Sequence, residues 1–171
     1  MAARSVPVSL LLLVVAVNQC LASYARECCE SPIRCPSGFE KNNKLNSCYF
    51  FENTKKVTWY EANAICQSKG AHLLAIETQE EMNFLKTKRR IGYWTGGNML
   101  SNNVYKWQQG GCFYQSPLKY THWSTRGNPP QPDNHRGREK CIMVWEQFYG
   151  WADFECTYLL NFVCEINLKS D

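Results

Sequence analysis

Apolar and polar positions divide this chain into an apolar leader, two helical segments, a long polar stretch and a closing group of short strand-like runs. Arg4 precedes an almost unbroken apolar run from Val8 to Val17, and small-residue sites follow at Cys20-Leu21-Ala22 and Ser23-Tyr24-Ala25. The run is shorter than the roughly 20 apolar residues that a bilayer span needs. It therefore predicts a signal peptide over residues 1–22, cleaved after 22 or 25, with a signal anchor as the other reading. A cysteine-containing segment, 23–34, comes next. Cys35 and Cys48 then bracket a polar turn ahead of the aromatic run Tyr49-Phe50-Phe51, which predicts a hairpin.

Thr58 followed by Glu61, and Thr78 followed by Glu81, are capping-box signatures for two helices. In the first, Ala62, Ile65 and Cys66 share a face and Gly70 offers the left-handed stop. The second is expected to run through Met82 and Leu85 towards Lys88, Arg89 and Arg90, whose charge suits a C-terminal turn. From Gly96 to Lys140, Gly, Asn, Gln, Pro and Ser are dense and apolar periodicity is nearly lost. That predicts one long structureless loop, a feature that usually carries function. Tyr105, Trp107, Tyr114, Tyr120 and Trp123 are expected to anchor it. Strands are predicted over Cys141 to Trp145, Phe148 to Trp151 and Asn161 to Ile166. The fold class is α+β, with no internal repeat.

Cysteine content sharpens this outline. Of ten cysteines in the full sequence, cleavage removes Cys20 and leaves Cys28, Cys29, Cys35, Cys48, Cys66, Cys112, Cys141, Cys156 and Cys164. In an oxidising compartment these form a disulfide framework, and their spacing matches no zinc site. An odd number leaves at least one sulfur for a partner chain or as a free thiol. A secreted, extracellular protein follows, with no membrane insertion after cleavage. The net charge of +4 comes without a basic recognition helix, so no nucleic-acid partner is expected. His72, His122 and His135 assemble no catalytic arrangement, and no enzymatic activity is expected. Trp59, Trp94, Trp107, Trp145 and Trp151 read as core. Glu80 and Glu81 read as first-turn charges of the second helix, rather than as a second cation site with Glu77.

Several of these landmarks together resemble the long-form C-type lectin domain. They are the cysteines at 35, 48, 66, 141, 156 and 164, Tyr93-Trp94-Thr95-Gly96-Gly97, Gln131-Pro132-Asp133 and Trp151-Ala152-Asp153. The resemblance extends from Cys35 to Glu165, for a recognition domain over 35–167. It implies the disulfides Cys35–Cys48, Cys66–Cys164 and Cys141–Cys156, and a cis bond before Pro132. It also implies a bound Ca²⁺ that captures sugar hydroxyls. Calcium takes about six to eight oxygen ligands. Gln131, Asp133 and Glu139 offer oxygens within one loop, and Asp153 adds another from a strand. The same four side chains would hydrogen-bond the sugar, Gln131 donating and the carboxylates accepting. In the family, Gln-Pro-Asp accompanies galactose-type ligands and Glu-Pro-Asn mannose-type ones.

Two positions depart from the family pattern. Ala152 replaces a calcium-binding Asn, and Asn134 and His135 follow the tripeptide where a stacking Trp is usual. His135 is expected either to substitute weakly as a flat ring against the sugar or to be simply an exposed loop residue. The expected function is a calcium-dependent lectin for galactose or N-acetylgalactosamine glycans, in innate recognition or agglutination. The competing readings are a lectin-like structural or protein-binding module (matrix, venom or mineral-associated) and calcium-independent capture of acidic glycans by Arg126, Arg136 and Arg138. Cys112 pairs with Cys28 or Cys29, leaving the other for a partner. Alternatively, Cys28 and Cys29 both bridge to a second subunit and Cys112 stays free or links dimers. Either arrangement gives a disulfide-linked homo- or heterodimer.

Overall fold

The computed structural model describes residues 34–88, 92–109, 114–145 and 150–168 of the 171-residue chain. These lie within one compact unit, Ser31–Asp171. Two capping boxes start the two helices. Thr58 Oγ1 accepts from the Glu61 amide at 3.3 Å while the Glu61 carboxylate accepts from the Thr58 amide at 2.9 Å, opening α1 (Trp59–Ser68). Gly70, at φ +67°, takes the left-handed turn that follows it. Thr78 and Glu81 repeat the device for α2 (Gln79–Lys86). This helix ends before the basic residues expected to lie along it. Lys88 Nζ instead pairs with Glu40 at 2.6 Å and sits over the Phe84 ring at 4.6 Å; Arg89 and Arg90 lie outside the described residues.

Nine strands among the described residues build a mixed sheet. They are β1 (Glu40–Asn42), β2 (Ser47–Val57), β3 (His72–Leu73), β4 (Tyr93–Asn98), β5 (Lys106–Gln109), β6 (Tyr114–Pro117), β7 (Glu139–Trp145), β8 (Gly150–Glu155) and β9 (Leu160–Asn167). The order β1-β2-β9-β4-β5-β6 forms the main path, β3 also pairs β9, and β7 joins β4 to β8. Pairing is antiparallel except between β4 and β9. The hairpin expected around residues 35–51 is β1–β2, in register Lys41 opposite Cys48. Strand β8 begins at Gly150 and runs on to Glu155; Phe148, placed in it from the sequence, lies outside the described residues.

Strand β9 is buried on both faces because successive side chains point to opposite sides of a strand. Phe162 and Cys164 join the cluster of Trp59, Ala62, Cys66 and Trp94 beneath α1. Val163 joins the cluster of Tyr49, Leu74, Ile76, Met82, Trp107 and Trp151, which α2 also covers. Among the described residues three disulfides staple the fold: Cys35–Cys48, Cys66–Cys164 and Cys141–Cys156. Cys28, Cys29 and Cys112 lie outside the described residues, so their pairing is not part of this framework. No helix of the described residues is long and apolar enough to cross a membrane.

The stretch 96–140 departs from the sequence expectation. It is not structureless, since the end of β4, the antiparallel hairpin β5–β6 and a short 3₁₀ turn (His135–Gly137) all fall within it. Side-chain amides hold the hairpin in place of apolar pairs: Gln115 donates to Gln108 at 3.2 Å and Ser116 to Gln109 at 2.9 Å. Such residues leave no hydrophobic alternation to read.

Candidate functional site

The loop between β6 and β7 is fastened to β8 through Trp151. That ring is fully buried and meets Trp107, Trp123 and Tyr120 at centroid distances of 5.2, 5.6 and 5.7 Å. Main-chain bonds from Trp151 to His122 O (2.8 Å) and from Ser124 to Trp151 O (2.9 Å) fix the loop's register. Gly150 permits this approach, because a Cβ there would lie 2.5 Å from His122 O. The expected aromatic anchoring is therefore present at Trp107, Tyr120 and Trp123, and Tyr105 packs against Trp123 at 5.0 Å with the rings tilted by 55°; the Tyr114 side chain lies outside the described residues. Trp59, Trp94, Trp107 and Trp151 are buried in the core, while Trp145 is half-buried.

Beyond Ser124 the loop turns back on itself. Gln131 donates its main-chain N–H to Ser124 O at 2.9 Å, and the Gln131–Pro132 peptide is cis, as is Asn128–Pro129. Asn134, Arg136 and Gly137 all have left-handed φ values (42°, 55° and 71°). Asn and Gly adopt that region readily, whereas a long side chain such as that of Arg136 adopts it uncommonly. The resulting tight turn swings Glu139 back towards Asp133. A reciprocal clamp closes it: His135 N–H donates to Glu139 Oε2 at 3.0 Å, and Glu139 N–H donates to Asn134 Oδ1 at 3.2 Å.

Asp133, Glu139 and Asp153 are thereby gathered, with one carboxylate oxygen from each lying within 4.8 Å of the others. Gln131 completes the group as a strut. Its Nε2 donates to Asp133 Oδ1 at 2.9 Å and its Oε1 accepts the Asp153 N–H at 3.1 Å. Asp153 is 1% exposed, and its carboxylate accepts the Asp133 and Asn134 amides at 3.1 and 2.8 Å and the Tyr105 hydroxyl at 2.8 Å. Gln131, Asp133 and Glu139 are half-buried, so solvent reaches the group from one side.

Burial pushes the Glu139 carboxyl up to about 7, and the charges of Asp153 and Asp133 add to this against the opposing His135 N–H. Crowding of carboxylates favours a proton or a cation among them. Hard oxygen donors in this number suit calcium, so the donor set fits the ion that the resemblance implied.

The remaining candidates fall elsewhere. The His135 side chain is exposed, and only its main chain touches the acidic group. Ala152 is 2% exposed and packs with Met143 and Cys141 in the core cluster, so its side chain supplies no oxygen to the site. Arg138 pairs with Glu155 at 3.4 Å, and Arg136 is exposed. Glu81 is buried. Its carboxylate accepts the Glu77 and Thr78 amides at 2.6 and 2.9 Å, fulfilling the first-turn role, and it lies beside the fully buried Glu165. Sequence reasoning missed Tyr105 as a partner of the site. No pattern marked it, because Tyr105 lies in the connection before β5 and only the tertiary fold brings its hydroxyl to Asp153.

Comparison with known proteins agrees with this fold. The family profile described as "Lectin C-type domain" matches residues 55–166. Perlucin of Haliotis laevigata is 35% identical over 138 residues, covering 77% of this chain and 82% of its own length. Lymphocyte antigen 75 of Homo sapiens is 31% identical over 80% of this chain, which spans only 8% of that protein. Among solved structures, the mouse scavenger receptor C-type lectin carbohydrate-recognition domain superposes with a TM-score of 0.64 at 28% identity, over 80% of this chain and all of that one. The C-type lectin domain of murine dendritic cell inhibitory receptor 2, in complex with an N-glycan, gives 0.64 at 25% identity, over 78% of this chain and 99% of its own. A Ca²⁺-dependent type II antifreeze protein in its Ca²⁺-free form gives 0.61 at 27%, over 77% of this chain and 98% of that chain. With its cysteine framework, its two capped helices and this profile match, the chain belongs to the C-type lectin domain family, a non-enzymatic family.

Proposed function

We propose that this protein is a secreted, calcium-dependent lectin for galactose- or N-acetylgalactosamine-type glycans, acting in innate recognition or agglutination. The convergence of Gln131, Asp133, Glu139 and Asp153 on one solvent-facing point supports the reading most directly. These four residues would hold the ion, and a bound calcium supplies coordination to two neighbouring sugar hydroxyls. The chain's own part is to orient them. The carboxylates accept from the hydroxyls and the Gln131 amide donates, a pattern whose amide-first order favours the galactose type. Replacing Asp133→Ala is expected to abolish retention on a galactose resin in millimolar calcium. Retention by that variant equal to the parent's would sink the proposal.

The proposed mature chain starts after residue 22 or 25, carries a cysteine-containing segment to residue 34 and folds as a recognition domain over 35–167. Odd cysteine parity supports a disulfide-linked dimer through Cys28, Cys29 or Cys112, and two sites per particle would offset weak single-site affinity. Mass measurement of the secreted protein without reductant tests both points. It should begin at Ser23 or Arg26 and weigh twice one chain.

A second reading has its own observation. Ala152 contributes no ligand, and protein donors already take three acceptor positions of the Asp153 carboxylate, as a lectin-like structural or protein-binding module would allow. Thermal stability unchanged by millimolar calcium would favour that module. Exposed Arg136, with Arg126 and Arg138, could extend the sugar site to acidic glycans, and steep salt sensitivity of binding would mark that contribution.

A further inference from the structure

We infer that Tyr105 is a positioning residue of the acidic site, its hydroxyl fixing which oxygen of Asp153 remains for a cation. The inference rests on the calcium reading above. A carboxylate oxygen has about two lone-pair positions. At Asp153, Oδ2 accepts both the Asn134 N–H at 2.8 Å and the Tyr105 hydroxyl at 2.8 Å, so that oxygen is filled. Oδ1 accepts the Asp133 N–H at 3.1 Å and keeps one position open. Asp153 therefore presents a single oxygen through Oδ1.

The two amides belong to the same loop as the site, whereas Tyr105 reaches it from the β4–β5 connection, 48 residues away along the chain. The same hydroxyl lies 3.4 Å from the Glu139 carbonyl oxygen, so one phenol spans the strands that carry two of the three acids. The ring itself is set by its tilted packing against Trp123, which in turn meets buried Trp151. Partners behind a metal ligand orient it, and their loss typically weakens metal binding by about 10–100-fold. A donor held by a packed aromatic cluster meets that description.

The test is Tyr105→Phe, which keeps the ring on Trp123 and removes only the hydroxyl. Calcium affinity is measured by calorimetry, and thermal unfolding is followed with and without calcium. The variant is expected to unfold cooperatively without calcium, to bind calcium about 10–100-fold more weakly, and to keep the parent's order of sugar preference once calcium saturates. A smaller calcium-induced rise in melting temperature should accompany the weaker binding, which a merely structural hydroxyl would not produce. Equal calcium affinity in parent and variant overturns the assignment of Tyr105 and leaves the calcium reading standing. So does loss of the calcium-free fold in the variant, which would make the hydroxyl a structural prop. No calcium response in the parent overturns both.

Discussion

Gln131 faces two neighbours at once, giving its amide hydrogens to Asp133 and taking the Asp153 main-chain N–H on its oxygen. The second bond needs only an oxygen, which a glutamate would also supply. The first can reverse if residue 133 becomes the donor. Exchanging the two chemistries, Gln131→Glu with Asp133→Asn, should therefore preserve the strut while inverting donor and acceptor sides towards the sugar. Retention is expected to move from a galactose resin to a mannose resin, and a doubly substituted protein that still prefers galactose would count against this role for the pair. Gln131, Asp133 and Glu139 were legible from the sequence because they lie close together along the chain, although Glu139 opens strand β7 rather than sitting in the loop. Asp153 was legible only through the family resemblance, since it lies twenty residues beyond Asp133 and its contact depends on how β8 meets the loop. Tyr105 was hidden because nothing in a Tyr-Lys-Trp run announces which carboxylate its hydroxyl will meet.

The helices show the opposite case at the scale of elements. A capping box is satisfied within four residues, so Thr58–Glu61 and Thr78–Glu81 could be read without any tertiary contact. Hairpin β5–β6 could not, because amide and hydroxyl contacts in place of apolar alternation hold it. The second capping box also carries a cost that sequence does not display. Folding buries Glu81 and sets it near Glu165, which pushes the Glu81 carboxyl up from 4.5 to about 7. The native state then retains a proton that the unfolded state has released between those values. Stability must rise as pH falls from 8 towards 5 in calcium-free protein, since protons bind the native state more tightly there. Glu81→Gln keeps an acceptor for the cap and removes this titration. Its melting temperature should depend less steeply on pH than the parent's, whereas identical slopes would show that Glu81 is not the group responsible.

For the molecule as a whole, the three disulfides tie each layer to the next. Cys66–Cys164 closes the longest interval, 98 residues, between α1 and the central strand β9. Six cysteines could be paired by resemblance because the family spacing covers most of the chain, while Cys28, Cys29 and Cys112 stand outside that spacing. The scaffold gathers the acids at one wall beside the β6–β7 loop, Asp133 and Glu139 half-buried and Asp153 buried behind them, with Trp151 linking core and site. Whether that wall is a sugar site governed by calcium is the central claim, and binding to a glycan array in calcium and again in excess chelator tests it most directly. The account predicts binding to terminal galactose- and N-acetylgalactosamine-type glycans in calcium and its loss on chelation. Binding that survives chelation, or an array without galactose-type ligands in calcium, would contradict it.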